Sequence, residues 1–228
     1  GYADGEDQYL PQRNNPGTSV AMEQVFKATL ERAGLEQHDM DLIDIYSCFP
    51  CAVEAAREAL DIPATDPRPL TVTGGLPFFG GPGNEYSMHA LAEMVLRLKA
   101  ESRHALVTAN GGMLSKHAAV VLAANSSENR SRTLDYDTLQ PTVVSQDQIE
   151  PVPLCDAPET GTVLSYTVIF ERKRDDTAII LAETANGERF LASSTDTATV
   201  QQVSALSPAG RAIEVEQIEG RNHFRFQA

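Results

Sequence analysis

The 228-residue chain has no tryptophan, only three cysteines, and no excess of basic charge. Each lack excludes something. Three cysteines (Cys48, Cys51, Cys155) are too few for a disulfide-stapled scaffold and fit a reducing compartment, so a cytoplasmic location is expected. Lys and Arg number 18 against 32 Asp and Glu, a formal net charge of −14. That balance argues against nucleic-acid binding, which needs clustered cations to neutralise phosphates. The longest apolar run, Ala118 to Ala124, falls far short of the roughly 20 residues of a membrane-spanning helix. No basic-then-apolar leader pattern stands at the start. No Gly-x-Ser-x-Gly elbow and no Gly-Lys-Ser/Thr phosphate loop occurs. The chain opens on Gly1-Tyr2-Ala3-Asp4 without a methionine, which suits a fragment of a longer polypeptide.

What is present falls into two patterns. Residues 1–18 are polar, contain the turn signal Asn14-Asn15-Pro16-Gly17, and read as a loop. A helix is expected from Ser19 to Ala33, with Val25, Phe26, Leu30 and Ala33 at helical spacing and Gly34 as its stop. Asp41 to Ser47 reads as a buried strand, and Cys51 to Leu60 as a helix led by Pro50. Leu70 to Thr73 reads as another strand. A third helix follows the glycine-rich stretch, with Met88, Leu91, Val95 and Leu98 as one apolar stripe. His104 to Asn110 and His117 to Ala124 complete a mixed sheet covered by helices, an α/β half spanning 1–125. Residues 126–158 lack periodicity and read as a connection.

From 159 to 228 the pattern becomes period two. Strands are expected at Val163 to Arg172, Ala178 to Thr184, Phe190 to Thr195, Ala212 to Ile218 and His223 to Phe226, with a short helix at Asp196 to Leu206. Asn186-Gly187 reads as a two-residue hairpin turn with positive φ at both positions. Five strands with one interposed helix suggest a small all-β barrel of the OB type.

Three segments carry candidate chemistry. Residues 74–84 hold five glycines in eleven positions between a strand and a helix, which lets a backbone approach a ligand or another loop, and exposed N–H groups at the following helix start can bind an anion; a tight structural crossing is the alternative. Asn110-Gly111-Gly112 ends a strand of the same sheet, so the two loops could converge at one edge. Cys48-Phe49-Pro50-Cys51 has dithiol spacing at a helix start, where a thiol pKa falls, but buried, inert thiols are the commoner case. Cys155 and the five histidines offer no metal-ligand spacing. His89, early in the helix after the glycine loop, is the best placed histidine for proton transfer, and His117 the second.

Taken together, Glu31-Arg32-Ala33-Gly34-Leu35, Asp41 through Phe49, Gly74-Gly75 through Gly80-Gly81-Pro82, and Asn110-Gly111-Gly112 resemble the C-terminal half of the thiolase superfamily. The resemblance covers residues 1 to 124. It looks closest to bacterial thiolase-like, acetyl-CoA acetyltransferase-like proteins with an extra C-terminal β domain, which would account for 160–228. It implies a mixed five-stranded sheet with helices, and acyltransferase chemistry on acyl-CoA as substrate or ligand in lipid metabolism, with no tightly bound cofactor. It also implies a missing N-terminal half, or partner chain, that holds the nucleophilic cysteine, with a homodimer as a further option.

Matched residue by residue, the family's Asn-Glu-Ala-Phe or His-Asp-Cys-Phe motif stands as Tyr46-Ser47-Cys48-Phe49. Its Gly-His-Pro stands as Gly80-Gly81-Pro82, and its Cys-x-Gly cysteine falls on Ala109 with Gly111 retained. Oxyanion hole, base and second acid/base are thus all altered. An active site rebuilt here would use His89, Tyr46 and Asn110 as catalytic groups. Gly74, Gly75, Gly80, Gly81, Asn84, Gly111 and Gly112 would be the binding residues. The competing readings are a lapsed module that binds acyl-CoA or a partner, and a dithiol redox protein using Cys48 and Cys51.

Overall fold

The computed structural model describes residues 1–98, 104–124 and 142–227; the first part of the expected connection, 126–141, lies outside them. Two compact units emerge, one of Gly1–Leu10 and Asn15–Glu150, the other of Pro11–Asn14 and Pro151–Ala228.

The first unit has a five-stranded mixed sheet ordered β2-β3-β4-β1-β5, from β1 (Tyr2–Glu6), β2 (Leu42–Asp44), β3 (His104–Gly111), β4 (Lys116–Ala123) and β5 (Thr142–Val144). Two of these strands lie where a loop or connection was expected. β1, inside the polar opening residues, pairs antiparallel with β4 from Tyr2↔Val120 to Glu6↔Lys116, and β5 adds parallel to it. Pairing, rather than apolar pattern, makes them strands. Conversely, Leu70 to Thr73 is no strand: one backbone bond, from the Ile45 amide to the Leu70 carbonyl at 2.9 Å, reaches it from beyond β2, and the hydroxyl of Thr71 and the amides of Val72 and Thr73 bond to a side chain. The expected strand Asp41 to Ser47 shortens to β2.

Alternation along β3 sends Leu106 to one face and Ala105 and Val107 to the other. On the first face pack α1 (Val20–Ala33) and α2 (Pro50–Ala59), burying Met22, Val25, Phe26 and Ala56 with Ile43 and Ile45. Ser19 caps α1 by accepting the Met22 amide, and Gly34 ends it at φ 69°. A four-residue turn of helix, α3 (Leu76–Phe79), lies within the glycine-rich stretch, and α4 (Tyr86–Leu98) covers the second face. α4 buries Tyr86, Ala90, Met94 and Leu98; of the expected stripe Leu98 is buried and Leu91 packs half-buried against the core, while Met88 and Val95 face outward. The sheet took the face that carries small Ala90 and the hydroxyl-bearing Tyr86, because Tyr86 finds a buried acceptor there (below).

The second unit is a closed five-stranded barrel of β6 (Thr160–Ile169), β7 (Thr177–Glu183), β8 (Arg189–Ser194), β9 (Ala212–Ile218) and β10 (Arg221–Phe226), ordered β10-β8-β7-β6-β9, with α5 (Thr197–Ala205) between β8 and β9. In barrel numbering this is 1-2-3-5-4 with the helix after the third strand, the OB arrangement. β8 and β10 run parallel and β9 closes antiparallel on β6. Val200 and Val203 of α5 join Ile180, Phe190, Ile213 and Phe224 in the core. Asp196 caps α5, and the Thr199 amide it accepts holds its carboxyl below the usual range.

The two-residue turn with positive φ at both positions is not Asn186-Gly187, where only Gly187 (φ 82°) is left-handed. It is Glu219-Gly220 (φ 52° and 74°), where Ile218 pairs with Arg221.

Buried Arg189 binds Pro11–Asn14 into this unit. Its guanidinium donates to the carbonyls of Pro11 (3.3 Å), Arg13 and Asn14 (2.9 Å), and ion-pairs with Glu183 at 3.5 Å. Arg189→Met would strip these carbonyls of their donors, and we expect a loss of roughly 2–4 kcal/mol, read as a lowered urea midpoint of barrel unfolding. A midpoint within experimental error of wild type would show that Arg189 does not hold the segment.

Candidate functional site

β2 ends in Asp44, whose neighbours Ile43 and Ile45 point into the α1–α2 core and leave its carboxylate on the α4 face, fully buried. There Asp44 Oδ2 accepts Thr71 Oγ1 (2.9 Å), the Val72 amide (2.9 Å), and the amide and hydroxyl of Thr73 (both 3.3 Å). Oδ1 accepts Tyr86 OH at 2.9 Å, and that hydroxyl also lies 2.7 Å from Thr73 Oγ1. Burial pushes the Tyr86 phenol above its ordinary pKa, so it stays a donor.

The hydroxyls pass the anchoring along the chain. The Gly74 amide donates to Thr71 Oγ1 (3.2 Å), Gly75 to Thr73 Oγ1 (3.1 Å) and Leu76 to Ser47 Oγ (2.9 Å). Five consecutive amides, 72–76, therefore point inward. Gly75 is needed here: its φ is 87°, and a Cβ would stand 3.0 Å from Ser47 Oγ. The amides of Gly74 and Gly75, two of the expected binding residues, already have these acceptors. Among the described residues no acceptor meets the amides of Gly81, Gly83, Asn84 or Ser87, at the start of α4.

Around this loop lie the other expected residues. The Tyr46 ring meets Tyr86 edge-on at 5.4 Å, and its amide donates to Thr108 Oγ1. Asn110 Nδ2 donates to Cys48 Sγ at 3.2 Å, tying the β3 end to the β2–α2 loop. His89 lies 5.4 Å from the Phe79 ring, with Nε2 3.9 Å from Glu85; its Nδ1 is buried and has no hydrogen-bond partner. No hydrogen bond, ion pair or ring contact among the described residues joins His89, Tyr46 and Asn110 to one another.

His117 is buried and bonded to Ser19 Oγ (3.1 Å) and the Leu114 carbonyl (3.0 Å), a structural placement. Cys48 and Cys51 are free, and Phe49 between them is extended (φ −142°, ψ 153°), so the pair does not share one helical turn. Gly112 (φ 61°) turns beside Ser115 in the β3–β4 connection. No group of His, Cys, Asp and Glu among the described residues is arranged to hold a metal, and no helix is long and apolar enough to cross a membrane.

The sequence-based reading missed Asp44, Thr71, Thr73 and Tyr86. The signal was an acidic residue within an otherwise apolar strand, which must find donors if buried.

Comparison with known proteins places the fold. Residues 139–220 match the model of the thiolase-like protein type 1 additional C-terminal domain. The whole chain superposes on a monomeric SCP2-thiolase-like protein type 1 from Mycobacterium smegmatis with TM-score 0.84 and 34% identity, covering 100% of this chain and 50% of that one. The chain belongs to the thiolase superfamily. It is a thiolase-like chain with the extra C-terminal domain, and it spans half the length of that relative. Human mitochondrial 3-ketoacyl-CoA thiolase in complex with CoA aligns at 21% identity and TM-score 0.40, over 55% of this chain and 30% of the enzyme. No curated protein matches the sequence significantly.

The thiolase-like loop has a testable packing limit at Gly81. A Cβ there would stand 2.8 Å from Leu76 Cδ2 and 3.0 Å from Tyr86 Cβ, and Tyr86 is pinned by Asp44. Gly81→Ala should cost about 1–3 kcal/mol through overpacking, with Gly81→His no milder, measured by thermal denaturation.

Proposed function

We propose that the protein to which this chain belongs binds an acyl-CoA thioester at the loop end of the α/β unit, as a module related to acyltransferases but not performing ordinary thiolase condensation. The observation that carries this reading is Gly81. The position that in the family's motif bears the histidine is wedged between Leu76 and Tyr86. Ala109 likewise offers no thiol where the second acid/base cysteine belongs. What remains is suited to binding. Unengaged amides at Gly81, Gly83, Asn84 and Ser87 face negative charge well at a helix start, and exposed Phe78, Phe79 and Phe49 offer apolar surface to an acyl chain. Gly80, Gly111 and Gly112 would let the ligand come close to the backbone. Free thiols fit a cytoplasmic setting.

Acetyl-CoA and longer acyl-CoAs should therefore raise the melting temperature of the intact protein without condensation or thiolysis. Saturation at about a hundred times Kd would stabilise by roughly 2.7 kcal/mol. No shift with any acyl-CoA would sink the reading.

One observation favours a second reading, turnover by a rebuilt site. His89 Nδ1 is buried without a partner, as a base awaiting a substrate proton would be. On that reading His89→Ala abolishes CoA-ester turnover and leaves the melting temperature unchanged; turnover that survives the substitution removes His89 from the chemistry.

The partner is proposed to be another α/β half, in the same polypeptide or a second chain. The outer face of α4 carries Met88, Ala92, Val95 and Leu96, all exposed, a helical apolar stripe of the kind that water-facing helices avoid. Residues 1–228 alone should bind a hydrophobic dye through it, and Met88→Glu with Leu96→Glu should remove that binding. A chain that ignores the dye contradicts the two-half arrangement.

A further inference from the structure

We infer that Asp44 is the positioning residue of the glycine-rich loop: as an internal anion it fills the donor cradle that residues 71–76 would otherwise offer to a ligand, and thereby leaves residues 81–87 as the ligand-facing donors. The inference rests on the acyl-CoA reading for the identity of the ligand, though not for the anchoring itself.

A glycine-rich turn that follows an extended segment commonly presents a run of amides to a phosphate. Here the run exists, and its occupant is part of the chain. Asp44 Oδ2 alone accepts two amides and two hydroxyls, and those hydroxyls in turn accept the Gly74 and Gly75 amides. Every donor from Val72 to Gly75 is thus one or two hydrogen bonds from one carboxylate. An external phosphate would have to displace a fully buried charge that has no other donors to turn to, at the full cost of leaving it unpaired.

The same carboxylate fixes α4. Tyr86, the first residue of that helix, donates to Oδ1, and its Cβ is the wall against which Gly81 packs. One group thereby sets both ends of the loop: the inward half through 71–76 and the outward half through Tyr86. The amides left without acceptors follow directly after, at Gly81, Gly83, Asn84 and Ser87. Asp44 touches no ligand-facing surface, so it acts through the loop and not on the ligand.

The test uses the intact protein, with hydrogen exchange of backbone amides and calorimetric titration of acetyl-CoA. In Asp44→Ala the amides of 72–75 should exchange faster while those of α1, β3 and β4 keep their protection. Acetyl-CoA affinity should fall by about tenfold or more, because a loop displaced by about 1 Å loses oriented contacts. Added formate should slow the exchange again and restore affinity in Asp44→Ala, with no effect on wild type. Asp44→Asn keeps the volume if the alanine variant does not fold; it should show the same faster exchange, since an amide cannot accept this set of donors on both atoms.

Unchanged exchange at 72–75 in the asparagine variant would overturn the anchoring. Faster exchange with undiminished acetyl-CoA affinity would reduce Asp44 to a purely structural group. If wild type itself fails to bind acetyl-CoA and longer acyl-CoAs alike, the acyl-CoA reading falls, and exchange with formate rescue still decides the role of Asp44.

Discussion

The loop end of the α/β unit depends on the buried carboxylate of Asp44. An acidic side chain at the end of β2 has neither water nor a basic partner, and hydroxyls and amides of residues 71–73 together with Tyr86 supply its donors. That requirement draws residues 71–73 away from strand pairing, because their amides and hydroxyls are claimed by the side chain, while Leu70 keeps one backbone bond, from the Ile45 amide. It turns α4 so that its phenol, not its methionine and valine stripe, faces the core. Both departures from the apolar pattern have this one electrostatic cause.

The candidate site inherits its geometry from the same contact. Three connections meet at one end of the sheet: the β2–α2 loop with Ser47 and Cys48, the glycine-rich loop, and the end of β3 with Asn110. Two side-chain bonds stitch them together, Ser47 Oγ accepting Leu76 N and Asn110 Nδ2 donating to Cys48. Leu76 and Tyr86 close in on Gly81 within a thiolase-like framework.

The barrel unit shows a different balance. Ala178, Ile180 and Ala182 of β7 point into its core, and its strands were readable from their period of two. Two features were not. The two-residue hairpin fell at Glu219-Gly220, where the side chain of a glutamate tolerates φ 52° because strand pairing on both sides demands it. Residues 11–14 join this unit through Arg189, a contact across more than 170 positions that no local pattern announces.

The sequence by itself determined the amphipathic helix behind Ser19, the Pro50 start of α2, the strands at 104–111 and 116–123, the five barrel strands with their helix, and the motif series that resembles a thiolase half. All of these depend on local spacing, on caps or on alternation, which survive without knowledge of neighbours. Only the tertiary structure decided that polar residues 2–6 form a central strand, that 70–73 do not, and which face of α4 is buried. It also decided that the amides of 72–76 are already taken. Those outcomes depend on which distant backbone lies within hydrogen-bonding reach and on where one buried carboxylate must find its donors.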